Sequence, residues 1–270
     1  MSRSYSLCNS DEEKHRYVVA VARDVNSRGG SSLMHEGLRI GQVLKISPPR
    51  NHFALNESAD HTVLVAGGIG VTPLWCMVQR LESLGKSWEL HYATRSRSHA
   101  AFLGELQVVH QRAQGLVHLH FDSESGVLDI PRIFAAHTPA NTHFYCCGPI
   151  PMLDAFTSAA KTLPEDQVHV EYFKAKDAAV TSGGVQVTLA KSKKVVTVEE
   201  GKTVLDAILG AGVDIPYSCM EGICGSCEVA VLEGEPDHHD SVLSDKQRKS
   251  NKTMIVCCSG AKSAHLVLDL

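Results

Sequence analysis

The sequence has no excess of basic residues. Its 270 residues carry 26 Lys and Arg against 30 Asp and Glu, a net charge of −4 with an isoelectric point near 6.4. Binding to phosphate backbones wants a basic face, so nucleic acid is not expected as a partner. Long apolar runs are also missing. The most apolar window, VLVAGGIGVTPLWCMV, is short and broken by glycine and proline, which rules it out as a membrane span. The N-terminus lacks the apolar core of a secretory signal. No internal repeat and no low-complexity tract interrupts the chain. These absences lead to the expectation of a cytoplasmic protein with no membrane partner. In that compartment the nine cysteines are not expected to form disulfides. The closely spaced ones then call for metal or redox chemistry.

What is present changes texture three times. Residues 1–57 have Gly-rich turns and predicted strands around Arg16–Ala22 and Val43–Ser47. Residues 58–174 alternate strand and helix: HTVLVA, then a helix at LWCMVQRLESL, WELHYAT, a helix at AAFLGELQVV, LVHLHF, THFYCC, a helix at PMLDAFTSAAKTL, and VHVEYF. Such alternation predicts a parallel, doubly wound sheet. A linker of small residues, 175–182, leads to a small α+β module over 183–270. It has a predicted hairpin (VQVTLA, KVVTV), a helix capped by Thr203, and two more strands near Met254–Cys257 and His265–Leu268.

The last module carries PYSCMEGICGSCEV, which sets Cys219, Cys224 and Cys227 in C-x4-C-x2-C spacing, with Cys257 and Cys258 further on. A [2Fe-2S] cluster takes four thiolates, and this pattern draws three from one tight loop and one from a distant segment. Gly222 and Gly225 let the loop backbone come close to the sulfides. Zinc sites favour paired C-x2-C spacings, which the loop lacks. Spacing does not choose between Cys257 and Cys258 as the fourth ligand. The adjacent pair His238 and His239, in EPDHHDSV, reads as part of a loop.

A glycine turn between strand and helix, GGIGVTP, places Gly67, Gly68, Gly70, Thr72 and Pro73 where a parallel sheet receives pyrophosphate. Taken alone, such a turn serves structure as readily as a ligand. A second piece, FYCCGPIPM, sets Cys147, Gly148 and Pro149 at the end of a later strand, facing the same crevice. Arg95, after the second strand, is a candidate contact to the adenosine ribose or phosphate. Near the start, Arg3, Ser4, Tyr5 and Ser6 form RSYS, and Arg28, Gly29, Gly30 and Ser31 form RGGS, whose successive N–H groups make a phosphate nest.

Together RSYSLCN, SRGGS, PPRNHFAL, AGGIGVTP, CGP and EYF, in that order, resemble the reductase subunits of phthalate dioxygenase and vanillate demethylase. The resemblance runs from Arg3 to Leu270. It implies a multidomain chain: a flavin-binding β-barrel (1–57), an α/β NAD-binding domain (58–174) and a β-grasp [2Fe-2S] ferredoxin domain (183–270). Family members carry further residues before RSYS that supply the first barrel strands, so the barrel is expected to be partial. The resemblance assigns FMN to Arg3, Ser4, Tyr5, Ser6, Ala20, Val21, Ala22, Arg28, Gly29, Gly30, Ser31 and Thr72, with Phe173 near the flavin face. It assigns NADH to the GGIGVTP and CGP segments, and favours Cys257 as the fourth cluster ligand. It also implies a transient Rieske-type oxygenase partner, commonly in the breakdown of aromatic compounds. NADH delivers a hydride while a [2Fe-2S] cluster accepts single electrons, so a flavin must stand between them. Residues 183–270 hold nine Lys and Arg against twelve Asp and Glu, with Glu221, Glu228, Glu233, Glu235 and Asp237 near the cysteine loop. That acidic surface is either simply solvated or steers the partner.

Overall fold

The computed structural model describes residues 3–27, 29–112, 115–137 and 140–270. The chain divides into two compact units. One is Tyr5–Phe173; the other is Lys174–Leu270 together with the start of the chain through Ser4.

Five parallel strands organise the first unit: β1 (His61–Gly67), β2 (Ser87–Thr94), β3 (Leu116–Phe121), β4 (Thr142–Cys147) and β5 (Val168–Glu171), in the order β3-β2-β1-β4-β5. Six of the seven β1 residues and all six of β4 are buried, as strands covered on both faces must be. Alternation splits β1 between two cores. Leu64 and Ala66 pack with Leu74, Met77, Val78 and Leu81 of the helix Val71–Ser83, whose i, i+3, i+4, i+7 spacing gives it one apolar stripe. Val63 and Val65 pack on the other side with Ile130, Ile133, Leu153 and Phe156, from the helices Ile130–Ala135 and Ile150–Ala159. The helix Ile130–Ala135, capped by Asp129 and started by Pro131, is absent from the sequence reading.

The two strands expected in residues 1–57 do not form. Over Arg16–Ala22 only Val19 pairs, as an isolated bridge to Leu7, and 43–47 is unpaired. Val43 is 92% exposed and Ile46 66%, in a stretch whose apolar residues find no neighbouring strand. A strand needs a ladder partner to satisfy its backbone groups, and β-propensity alone does not supply one. The segment is instead held to the sheet domain locally. Gln79 donates to the Cys8 carbonyl at 2.8 Å, Cys76 to that of Asn9, and Arg80 pairs with Glu57 at 2.7 Å. One short helical stretch begins at Gly30.

In the second unit, β6 (Gln186–Leu189) and β7 (Lys194–Thr197) form the expected hairpin. The helix Val204–Gly210 begins with a full capping box between Thr203 and Asp206. With β8 (Glu228–Glu233), β10 (Thr253–Ile255) and β12 (His265–Leu268) the main sheet runs β10-β8-β12-β6-β7, with β12 and β6 parallel. Its core buries Val187, Leu189, Leu205, Ile208, Met254 and Leu266. A two-stranded ribbon joins β9 (Pro236–Asp237), in the segment the sequence reads as loop, to β11 (Gly260–Ala261). Among the described residues no helix is long and apolar enough to cross a membrane.

Candidate functional site

The parallel strands of the first unit all end on one edge. The order reverses between β1 and β4, and such a switch point is where doubly wound sheets take their ligands. The two sequence-predicted loops meet there. β1 runs into a 3-10 turn, Gly68–Gly70, and then the helix Val71–Ser83, so the glycine turn opens onto a helix N-terminus. A Cβ on Gly70 would stand 2.2 Å from the Cys147 carbonyl oxygen, and one on Gly67 2.6 Å from Pro149 Cδ. A Cβ on Gly148 would lie 2.7 Å from Met152 Sδ and 3.1 Å from Gly67 Cα. The two loops pack backbone to backbone, and only glycine permits it. Gly68, at φ +53°, faces open space. Thr72 is buried and its hydroxyl donates to the Ile69 carbonyl at 2.9 Å, so its side chain serves the turn. Pro73 sits in the first helical turn, where its missing N–H costs no helical bond.

Cys147 is buried, and its thiol donates to Glu171 Oε2 at 3.9 Å. Burial pushes the Glu171 carboxyl up to about 7, and pushes the Cys147 thiol well above its ordinary value. Sequence reasoning singled out the EYF segment for Phe173 and passed over Glu171, two residues earlier. Its signal was an acidic residue ending a strand in a parallel sheet. Phe173 is half-buried and packs against the Leu64–Trp88 core. Arg95 is exposed at the end of β2 and its carbonyl accepts from Ser123 N–H. Arg97 is engaged elsewhere, stacked over Phe121 at 4.5 Å and 3.4 Å from Glu124.

Of the residues assigned to flavin, Arg28 lies outside those described. Gly29 takes φ 91°, ψ −16° ahead of the helical Gly30, the alternation that turns successive N–H groups toward one point. Ser31 Oγ accepts the Asp24 N–H at 3.1 Å and keeps its own hydrogen to donate. The Val21 carbonyl pairs with His35 Nε2 at 2.8 Å, and Ala20 packs into the core. Tyr5 and Ser6 are half-buried in the first unit, whereas Arg3 and Ser4 group with the second, where Ser4 Oγ meets Ser218 Oγ at 3.4 Å. Gly29–Ser31 therefore take a left-handed then helical backbone, while the described residues of 1–57 form no ladder of paired strands.

In the second unit the cysteine loop is wound by left-handed residues at Met220, Gly222 and Gly225. This winding aims backbone N–H groups at sulfur. Glu221 N–H reaches Cys219 Sγ at 3.3 Å and Cys219 N–H reaches Cys224 Sγ at 3.5 Å. A hydrogen bond shared with Cys219 pushes the Cys224 thiol up to about 12, and one from Cys257 lowers that of Cys227. Four thiols in this spacing, two of them with backbone N–H donors to sulfur, fit a [2Fe-2S] cluster. Cys257 lies in a turn beyond β10, not on the strand expected to reach it, so strand alternation does not sort it from Cys258. Both are buried. The Cys258 thiol donates to the Ile255 carbonyl at 3.7 Å, and a Cβ on Gly222 would come within 2.5 Å of its sulfur. Cys258 therefore packs against the loop at Gly222, and Cys257 hydrogen-bonds with both Cys227 and Cys258. The segment EPDHHDSV acts as a buttress. Ser241 N–H bonds the Gly222 carbonyl, while the buried Asp240 accepts from Val242 and Leu243 N–H at 2.9 and 2.7 Å.

Two family models match the chain, one in each unit. Residues 187–262 match the family of the 2Fe-2S iron-sulfur cluster binding domain, and residues 64–158 the oxidoreductase NAD-binding domain. The phenoxybenzoate dioxygenase subunit beta of Ectopseudomonas oleovorans is 52% identical over 100% of this chain and 83% of its own length. The tetrachlorobenzoquinone reductase of Sphingobium chlorophenolicum is 48% identical, over 100% of this chain and 84% of its own. Among solved structures, phthalate dioxygenase reductase, described as a modular structure for electron transfer from pyridine nucleotides to [2Fe-2S], superposes with a TM-score of 0.68 at 37% identity. That match covers 99% of this chain and 83% of that one.

Proposed function

The chain belongs to the phthalate dioxygenase reductase family, and from that premise we propose that it oxidises NADH and supplies electrons to a Rieske-type oxygenase acting on an aromatic compound. One observation carries the reading. The GGIGVTP and CCGP loops interlock at the switch point of a parallel sheet, in the same chain as a four-cysteine loop wound for a cluster. When bound, FMN and a [2Fe-2S] cluster supply the conversion of a two-electron donor into single electrons.

The chain's own residues do the positioning. Gly67, Gly68 and Gly70 admit the NADH pyrophosphate to the start of the helix Val71–Ser83. Cys147, Gly148 and Pro149 flank the nicotinamide, with Glu171 behind Cys147, and Arg95 stands beside the adenosine end. Gly29, Gly30 and Ser31 hold the flavin phosphate, with Tyr5, Ser6 and Phe173 against the ring. Cys219, Cys224, Cys227 and Cys257 hold the irons. The acidic surface of the second unit steers the partner.

A second reading has an observation in its favour. The unpaired stretch around Val43–Ile46 leaves the flavin wall open, so the chain would serve as an electron carrier through its cysteine module alone. Flavin and iron counted per purified chain, together with NADH oxidation by an artificial acceptor, separate the two. About one FMN with two irons and NADH turnover supports the reductase. Two irons without flavin or turnover supports the carrier.

A further inference from the structure

Four histidines and one carboxylate gather at the edge of the parallel sheet opposite the nucleotide loops. His61 opens β1, Glu89 and His91 lie on β2, His118 lies on β3, and His137 follows the helix Ile130–Ala135. His61 and His137 stack with ring centroids 5.5 Å apart, as do His91 and His118 at 4.5 Å. Glu89 stands between the pairs. Its Oε1 is 2.6 Å from His91 Nε2 and 3.1 Å from His137 Nε2. One donor atom each of His61, Glu89 and His137 lies within 4.8 Å of the others, and all three residues are half-buried.

The hydrogen bonds around this triad leave a place for a cation. His137 Nδ1 lies 2.8 Å from the Ile133 carbonyl oxygen, which only accepts, so Nδ1 carries the hydrogen. In the neutral ring Nε2 is then a bare lone pair, and it faces a carboxylate oxygen, a second acceptor, at 3.1 Å. Two acceptors at that distance need a proton or a metal ion between or beside them. His61 Nδ1 lies 2.8 Å from Ser87 Oγ, a hydroxyl able to accept the ring hydrogen and leave Nε2 free to bind. A ring tied through one nitrogen to a carbonyl or hydroxyl, with the other turned to a shared point, is how proteins orient metal-binding imidazoles. His91 completes the shell by fixing the Glu89 carboxylate from the side. The alternative grouping of Glu89, His91 and His118 is less enclosed, since His118 is exposed.

We propose that His61, Glu89 and His137 form a site for a divalent transition-metal ion, with zinc the best match to two imidazoles, one carboxylate and an open fourth position. The site is structural. It joins β1, β2 and the end of the helix Ile130–Ala135, and it lies at the opposite end of β1 from Gly67, about 20 Å away at the rise of an extended strand. It therefore stands apart from the nucleotide loops.

The test uses the full chain with its cluster in place, cleared of loosely bound metal, mixed with Zn2+ and desalted. Zinc and iron are then counted per chain. Wild type is expected to retain one zinc beyond its iron. The double variant His61→Ala, His137→Ala is expected to retain none, with iron and NADH oxidation unchanged. Zinc should raise the melting temperature of wild type and leave that of the variant where it is. Should the variant fail to fold, the zinc K-edge spectrum of wild type decides. A shell of nitrogen and oxygen at about 2.0–2.1 Å without sulfur supports the site, and a sulfur shell near about 2.3 Å assigns the ion to cysteines and overturns it. Absence of retained zinc in wild type also overturns it and leaves an imidazolium–carboxylate pair. Zinc retained by a folded double variant does the same.

Discussion

The thiol of Cys147 donates to the carboxyl of Glu171 across neighbouring parallel strands, Sγ to Oε2 at 3.9 Å. Both groups lie at the sheet edge where the nucleotide loops meet, and burial holds the carboxyl near a pKa of about 7. The folded state thus keeps its proton well above the ordinary carboxylate range. Between pH 4.5 and about 7 the folded chain holds one more proton here than the unfolded chain, so rising pH removes stability across that window. The whole effect amounts to at most about 3 kcal/mol. Glu171→Gln should flatten stability against pH between these limits. It should also remove an inflection near neutrality from the rate of hydride transfer, as read by urea unfolding and by single-turnover NADH oxidation at several pH values. An unchanged profile in the variant would separate Glu171 from the nicotinamide site.

Gly70→Ala should separate the two nucleotide loops. The new Cβ would sit 2.2 Å from the Cys147 carbonyl oxygen, a backbone atom that cannot step aside. NADH affinity is expected to fall at least tenfold, about 1.4 kcal/mol. Gly85→Ala, in the turn after the helix Val71–Ser83 and outside both nucleotide loops, is the control. Its Cβ meets nothing, and its cost of about 1–2 kcal/mol comes from the left-handed backbone alone. Titration of each variant with NADH checks the contrast.

Cys257→Ser and Cys258→Ser should part company. The first removes a thiol paired with Cys227 and should leave the chain without a stable cluster. The second removes a buried thiol bonded to the Ile255 carbonyl and should keep two irons per chain at lower stability. Gly222→Ala should also impair assembly, since its Cβ would stand 2.5 Å from the Cys258 sulfur at φ +69°. Iron content and the cluster's visible absorbance read all three.

The sites differ in how far the sequence reveals them. Gly67, Gly70, Cys147 and Gly148 are legible because a close backbone approach demands glycine, and because parallel strands carry distant loops to one edge. The cysteine loop is legible because cluster geometry dictates ligand spacing. Glu171 escapes because its significance is burial beside Cys147, which appears only once β4 and β5 pair. The triad of His61, Glu89 and His137 escapes for the same reason, its members drawn from three separate elements. Residues 16–22 and 43–47 mislead in the opposite direction. Their apolar, β-branched pattern announces strands, and among the described residues it yields a single bridge at Leu7 and Val19 and exposed Val43 and Ile46.

Acidic steering of the partner predicts sensitivity to salt. Electron delivery from the reduced chain to a Rieske-type oxygenase should slow severalfold between low and high ionic strength, because interactions between exposed charges are screened beyond about 10 Å at 0.1 M. NADH oxidation with a small neutral acceptor should change much less. Equal sensitivity of both reactions would assign the acidic surface to solvation alone.

In the proposed function, electrons from NADH reach the four-cysteine site through a flavin held by this chain. Anaerobic stopped-flow mixing of the purified chain with NADH tests it most directly, following flavin and cluster absorbance together. Flavin absorbance is expected to fall first, with cluster absorbance following. Cluster reduction ahead of the flavin, or cluster reduction by NADH in a chain that carries no flavin, would contradict it.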